Sequence, residues 1–298
     1  MKSGFIDIHT HGAINVDVNS ATTDELLRLS DFFKEHGCDA WLPTIMTDSE
    51  ENMLEACSRV ARAMCNQKSG ARILGIHLEG PFLSPLFGGA MNRTYLRKGD
   101  CRFIERLIKA SEGHILRLTL APEVEGCMDV IREFSKDIAI SLGHSNATYK
   151  EAMKAFELGA NCITHCGNAM RLFHQHEPGL LGAAFDSDCY IEVIGDGLHI
   201  APDSVKVYLK IKGPERILIV TDSMSATGIG DGEFMIGGSR VVVKNGDARI
   251  PELDVRAGSI LTMDKAFENI CRFTGLGEDD VYPMFRENQE RLLGIYLD

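Results

Sequence analysis

Phe5-Ile6-Asp7-Ile8-His9-Thr10-His11-Gly12, almost at the N-terminus, sets the pattern from which the rest of the chain is understood. Its apolar, β-branched run reads as a buried strand. Residues two apart on a strand point to the same side. His9 and His11 therefore present two imidazoles from one face, where Gly12 ends the strand. Such a pair suits a divalent metal with nitrogen ligands. Alone it is a weak signal that more often marks two hydrogen-bonded or exposed histidines than a metal, so its meaning depends on what the other strand ends carry.

Working outward, strand-like and helix-like stretches alternate. Thr22–Gly37 reads as a helix, with a Thr22/Glu25 capping box and Gly37 at its end. Cys38–Met46 is a strand and Ser49–Gln67 an amphipathic helix. Arg72–Glu79 is a third strand, followed by the loop Gly80–Tyr95. Helix Arg102–Glu112, strand Ile115–Ala121, helix Cys127–Ser135 and strand Ile138–Leu142 follow. A helix capped by Thr148 and Glu151 ends at Gly159, and Asn161–Thr164 is the sixth strand. Tyr190–Ile194 is the seventh, Pro202–Gly213 a helix, and Arg216–Thr221 the eighth strand. Eight strands alternating with helices predict a parallel sheet closed as a TIM-like (β/α)8 barrel. Glu233–Ile250 breaks the pattern. The turn signals Gly237-Gly238 and Asn245-Gly246 make it a β-hairpin insertion before the last barrel helix, Ile260–Thr274. A helix near Asp279–Leu293 finishes the chain, and residues 1–298 are expected to form a single domain.

Composition narrows the function classes. Hydrophobic residues make up 44% and charged residues 25% of the 298 positions, as in ordinary globular proteins. The net charge of −12, with no basic run, argues against nucleic acid or an anionic membrane as partner. A small-molecule substrate, even an anionic one, is compatible with a local positive pocket. No apolar run approaches the ~20 residues of a membrane span. No basic-then-apolar leader precedes the first strand, and the nine cysteines lack framework spacing. A cytoplasmic location with mostly buried thiols is expected. Cys166 stands apart because it adjoins His165.

In such barrels, functional side chains gather at the C-terminal ends of the strands. Those ends carry His9 and His11 (first strand), Glu79 (third), His144 (fifth), His165 (sixth), His199 (seventh) and Asp222 (eighth). His36 and His114 fall elsewhere and read as structural. Imidazole nitrogen and carboxylate oxygen suit zinc, ferrous iron or a similar ion, and ligand type does not choose among them. A catalytic metal keeps one position for water and lowers its pKa. Such water can attack an amide or ester carbon, with Asp222 taking its proton and passing it to the leaving amine.

The local sequences around these positions resemble the N-acetylglucosamine-6-phosphate deacetylase family of metal-dependent amidohydrolases. The resemblance is carried by Ile76-His77-Leu78-Glu79-Gly80-Pro81-Phe82, Gly143-His144-Ser145-Asn146-Ala147, Thr164-His165 with Asn168-Ala169-Met170, Glu177-Pro178-Gly179, Asp196-Gly197-Leu198-His199, Val220-Thr221-Asp222 and Gly258-Ser259-Ile260-Leu261-Thr262-Met263. The motifs run in the family's order from Gly4 to about Gly294. The resemblance implies that Glu79, His144 and His165 are the main metal ligands, and that His9 and His11 match the pair that holds a second ion in some members. Zinc is the first expectation, with Fe2+ or Mn2+ as alternatives, as one or two ions. It further implies Asp222 as the acid/base, Asn168 and Ala169 on the sugar phosphate, His199 on the substrate, Ala257 and Gly258 along the sugar, and a homodimer.

Three departures bear on substrate. The family's histidine in the loop after Glu79 is replaced by Met91, which cannot polarise a carbonyl. The family's phosphate-binding arginine before Glu-Pro-Gly is replaced by His176, beside His174 and Gln175. Arginine grips phosphate bidentately and histidine does not; Arg171 and Arg93 are the nearby candidates to supply the charge. Cys166 and Gly167 replace larger apolar residues. The family's small β-sandwich is also expected to be absent, since the sequence starts at the first strand and stops at Asp298. The expectation is the family's reaction on a related N-acyl amine. Its competitors are another amidohydrolase reaction, deamination or cyclic-amide opening, and a non-catalytic sugar-phosphate binder. The carbamylated lysine of many such enzymes has no counterpart at Ala121-Pro122-Glu123.

Overall fold

Strand β1 (Phe5–Thr10) is buried along its whole length and lies at the start of a parallel sheet that curls into a barrel. The computed structural model describes residues 2–236 and 238–297. The barrel continues through β2 (Cys38–Met46), β3 (Ile76–Glu79), β4 (Ile115–Leu120), β5 (Ala139–Leu142), β6 (Cys162–Ile163), β7 (Tyr190–Ile194) and β8 (Ile217–Val220), each hydrogen-bonded to the next. The ring closes where β8 meets β1: Asp222 N donates to His9 O (2.9 Å) and His11 N to Ser223 O (2.8 Å). The expected TIM-like barrel is therefore present.

Helices α1 (Thr23–Glu35), α2 (Glu50–Asn66), α3 (Cys101–Ala110), α4 (Cys127–Phe134), α5 (Tyr149–Glu157), α6 (Gly179–Asp186), α7 (Pro202–Lys212) and α8 (Met263–Thr274) surround it. Both expected capping boxes form, on α1 and α5. Helix α6 has no counterpart in the sequence pattern. Its sequence, Gly-Leu-Leu-Gly-Ala-Ala-Phe-Asp, is small and apolar on nearly every side, so it lacks the 3.6-residue alternation that marks a surface helix.

Two elements divide where the sequence pattern predicts single ones. The third strand splits at Leu74-Gly75, leaving Arg72–Ile73 paired to the start of β2 and β3 beginning at Ile76. The C-terminal helix divides into α9 (Glu278–Val281), a 3-10 turn over Tyr282–Phe285, and α10 (Glu287–Leu293), the turn holding Pro283. Proline removes a helical hydrogen bond there.

The insertion is larger than a hairpin. Strands β9 (Gly232–Ile236), β10 (Ser239–Lys244), β11 (Asp247–Ile250) and β12 (Val255–Arg256) form a four-stranded antiparallel sheet. Asn245 and Gly246, at φ +53° and +79°, join β10 to β11 in the tight turn their sequence requires. Of the other expected turn, Gly237 lies outside the described residues. Met224 and Ala226, which follow β8, join Val241, Val243 and Ile250 of the sheet in a second apolar cluster. Among the described residues, no helix is long and apolar enough to cross a membrane.

Candidate active site

Alternation along β1 sends Asp7 and His9 inward, and His11 follows on the same side. All three are buried. Glu79, at the end of β3, is the hub on which the site converges. Its Oε1 lies 3.1 Å from His144 Nε2 and 3.2 Å from His165 Nε2. Its Oε2 lies 3.2 Å from His11 Nε2, and His9 Nε2 is 3.5 Å from Oε1. Asp222 Oδ1 sits 3.2 Å from His11 Nε2 and 3.4 Å from His9 Nε2. Two triads of potential ligands share the hub: His9, His11 and Glu79, and Glu79, His144 and His165. Six of the seven strand-end residues thus meet in one buried cluster.

The outer ring nitrogens decide what this cluster can hold. His11 Nδ1 lies 3.2 Å from Thr44 O, and His144 Nδ1 2.9 Å from Phe87 O. A carbonyl only accepts, so both Nδ1 atoms carry hydrogen, and in the neutral rings both Nε2 atoms are lone pairs. His9 Nδ1 is likewise engaged, by Glu192 Oε2 at 3.0 Å. The inward Nε2 atoms then approach each other closely, His9 to His11 at 3.3 Å and His144 to His165 at 3.1 Å. Facing lone pairs repel unless a proton or a cation lies among them. Nitrogen and carboxylate donors, the outer nitrogens of His9, His11 and His144 tied to acceptors, and near-complete burial together fit a divalent ion, although His165 Nδ1 is buried without a partner.

Electrostatics agree with that fit. Burial disfavours charge on His9 and His11, but the carboxylates of Glu192, Asp222 and Glu79 outweigh it. His9 is held well above its ordinary value, and His11 is raised to about 9. Burial also disfavours ionised Asp222, yet His9 and His11 hold its carboxyl at about 2. The carboxylates thus favour positive charge on or among the imidazoles of the cluster.

Backbone strain concentrates here too. His144, His165 and Asp222 have φ of +48°, +29° and +50°, and Ala169 has +47°. Non-glycine residues seldom adopt these values, and their clustering at strand ends marks a functional site.

A second layer, not marked by the strand-end pattern, lies beneath the cluster. Glu192, fully buried on β7, accepts from His9 Nδ1, His165 N (2.8 Å) and Arg117 Nη1. Arg117 also donates to Ser141 Oγ (3.0 Å). From there Ser141, Thr164, Thr119, His77 and Thr44 form a continuous hydrogen-bonded chain with steps of 2.6, 2.7, 2.8 and 3.2 Å. Burial and the neighbouring Arg117 keep His77 uncharged, its pKa well below the usual value. The available signal is a set of lone polar residues in otherwise apolar strands: Leu116-Arg117-Leu118, Ile191-Glu192-Val193 and Ile76-His77-Leu78.

Above the cluster is a cavity of about 270 Å3, reaching from His165 and Asp222 to the inserted sheet. Asn168, Ala169, His199 and Gly258 line it, as do Gly89, Arg249 and Arg256. His199 Nδ1 is tied to Asp196 Oδ2 at 2.6 Å, which leaves Nε2 as its free nitrogen. Gly258 has φ +65°, and a Cβ there would lie 2.9 Å from Asp222 O. Only glycine lets this segment run so close to the strand end.

Other expected residues lie apart from the cavity. Met91 and Ala257 are buried in the second apolar cluster. His176 is exposed beside His174, with ring centroids 5.4 Å apart. Arg171 Nε donates to Asn146 Oδ1 (2.9 Å) and Arg93 Nε to Pro85 O (3.1 Å). Cys166 is buried, and burial drives its thiol well above the ordinary range, so it is not poised as a nucleophile. Glu123, beyond β4, holds the turn after His144 by accepting from Ser145 Oγ (2.7 Å) and Asn146 N (2.6 Å).

Comparison with known proteins gives a consistent result. The amidohydrolase family model matches residues 1–222. The N-acetylglucosamine-6-phosphate deacetylase of Bacillus subtilis (strain 168) is 34% identical over 298 residues, spanning 98% of this chain and 75% of that one. An N-acetylgalactosamine-6-phosphate deacetylase of Escherichia coli O157:H7 is 33% identical over 98% of this chain and 77% of its own length. A solved structure of a mutant N-acetyl-D-glucosamine-6-phosphate deacetylase from Mycobacterium smegmatis, in complex with N-acetyl-D-glucosamine-6-phosphate, superposes with a TM-score of 0.93. It is 34% identical, and the match covers 99% of this chain and 78% of that one.

Proposed function

Because the chain belongs to the amidohydrolase family, among the N-acetylhexosamine-phosphate deacetylases, we propose that it hydrolyses the acetamide of an N-acetylated amino-sugar 6-phosphate to acetate and the free amine. The observation that carries this reading is the buried His/Glu cluster with Asp222 at its edge, on the floor of a sugar-sized cavity.

Glu79, His144 and His165 would hold the catalytic ion, with His9 and His11 adding to it or holding a second. Zinc suits this nitrogen-rich set. A divalent ion bound there supplies Lewis-acid polarisation of the carbonyl and a lowered pKa for water. The remaining work belongs to the chain. Asp222, ionised at neutral pH, takes the proton of the attacking water and delivers it to the leaving amine. Asn168, Ala169 and His199 orient the sugar phosphate, and the backbone at Gly258 runs along the sugar, with Ala257 anchoring it from the apolar cluster behind. Met91 and His176 take no direct part within the chain.

Replacing Asp222→Asn tests the proton-transfer role. Turnover of N-acetylglucosamine 6-phosphate should fall by about 100-fold or more, general acid–base groups contributing roughly 10²–10⁴-fold, while bound metal is retained. Unchanged turnover would remove Asp222 from the mechanism.

We also propose that the barrel and inserted sheet form one domain, supported by the apolar cluster that joins them. Exposed Leu172 and Phe173 support association into a homodimer. The nine unpaired thiols support a reducing, cytoplasmic location.

A further inference from the structure

Glu123, just beyond β4, stands outside both ligand triads and the cavity lining. Its backbone is fixed: Ala121 N donates to Phe82 O (2.9 Å), and Val124 N closes a tight turn onto Ala121 O (3.1 Å). From this mount the half-buried carboxylate reaches the segment after β5. Oε2 accepts from Ser145 Oγ (2.7 Å) and Oε1 from Asn146 N (2.6 Å). Hydrogen bonds to an ionised acceptor are among the strong ones.

Ser145 is buried and joins two turns. Its Oγ accepts from Ala147 N (3.0 Å), and its one hydroxyl hydrogen goes to Glu123. Its N donates to Ala169 O (3.2 Å) and its carbonyl accepts from Arg171 N (3.1 Å), so Ser145 and Met170 pair as in a parallel ladder. Arg171 Nε adds a third tie, to Asn146 Oδ1 (2.9 Å). On one side of this bridge is His144, a member of a ligand triad. On the other are Asn168 and Ala169, which line the cavity. His144 and Ala169 directly precede the bridged pair, and both hold left-handed backbone, at φ +48° and +47°. Such backbone persists only where its surroundings over-determine it. Glu123 supplies two of the contacts that do so beside His144, and Ser145 passes that order to residues 169–171.

We propose that Glu123 is a positioning residue that locks the metal-ligand turn at His144 and the cavity-lining turn at Asn168-Ala169 into one unit, and so couples metal binding to sugar-phosphate binding. With His144 fixed on an ion, Ala169 is ordered too, and a ligand entering the cavity meets a turn already set. The same tightening runs in the reverse direction, because binding linkage is reciprocal. The inference rests on the deacetylase reading for its ligands and adds a regulation between two parts of that site.

The test is metal affinity, by competition with a chelator, with and without saturating glucose 6-phosphate, in the wild type, Glu123→Ala and Glu123→Gln. In the wild type the sugar phosphate should tighten metal binding about 5-fold or more, the lower end of usual coupling between sites. In Glu123→Ala this ratio should fall to about one. Glu123→Gln keeps one accepting oxygen and should retain part of the ratio, which also shows that the turn still forms. A merely structural loss would weaken metal binding equally with and without the sugar phosphate and leave the ratio as in the wild type. That result, or a wild-type ratio of about one, would overturn the coupling. If the wild-type ratio falls in Glu123→Ala but no N-acyl sugar is hydrolysed, the deacetylase reading fails and the coupling stands. If N-acetylglucosamine 6-phosphate is hydrolysed but the ratio is the same in every variant, the coupling fails and the deacetylase reading stands.

Discussion

Glu192 touches neither the cavity nor the two ligand triads' inner atoms, yet it fixes the outer nitrogen of His9 and the backbone of His165 together. Carboxylates that orient metal-binding histidines typically contribute about 10- to 100-fold in metal affinity. Glu192→Gln keeps the shape and removes the charge, so metal affinity, measured by equilibrium dialysis against a competing chelator, should drop by about 10-fold or more. Equal affinity would mean that Glu192 is purely structural. Arg117 poses the complementary question. It is buried against Glu192, and removing one member of a buried pair strands the other. Arg117→Met should cost about 3–5 kcal/mol in denaturant unfolding, with much of it recovered in Arg117→Met/Glu192→Leu. No recovery in the double variant would assign the loss to packing instead. At this scale, the ligands are legible because strand-end histidines and carboxylates stand out against their surroundings. Arg117, Glu192 and His77 are not, because each is a single polar residue whose partners lie 75, 75 and 42 positions away in the chain.

Elements place these residues with little tolerance. Gly258 lies where the segment after β12 runs back along the end of β8, with Ser259 N donating to Asp222 O (2.7 Å) and Ser259 Oγ to Thr221 O (2.6 Å). A methyl group at Gly258 would meet Asp222 O at 2.9 Å in a backbone region that side chains rarely adopt. Gly258→Ala should therefore destabilise the fold by about 1–3 kcal/mol and lower kcat by displacing Asp222. Wild-type stability and kcat would contradict this account of the segment. The barrel strands and most helices can be read from periodicity, because long buried strands and capped amphipathic helices leave local marks. Helix α6 cannot, since a helix apolar on all sides has no period. The fourth strand of the insertion cannot either, since β12 is two residues long and is defined by its pairing with β11.

The molecule as a whole joins two devices. A closed parallel barrel brings six strand-end residues into a buried ligand cluster, and an antiparallel sheet inserted after the eighth strand supplies two arginines to the cavity above it. The first is the proposed place of amide activation, and the second completes the wall of the cavity above it. Sequence resemblance reaches the first because its motifs are local. For the sugar phosphate it points to Asn168 and Ala169, which line the cavity, whereas the arginines beside them come from a sheet whose face only the folded register defines. The most direct measurement is acetate release by the purified protein from N-acetylglucosamine 6-phosphate and N-acetylgalactosamine 6-phosphate, before chelation, after it, and after adding back a divalent metal. The account predicts release from at least one of the two sugars, lost on chelation and restored by the metal. No acetate from either sugar in any metal-loaded sample, or full release that survives complete metal removal, would contradict it.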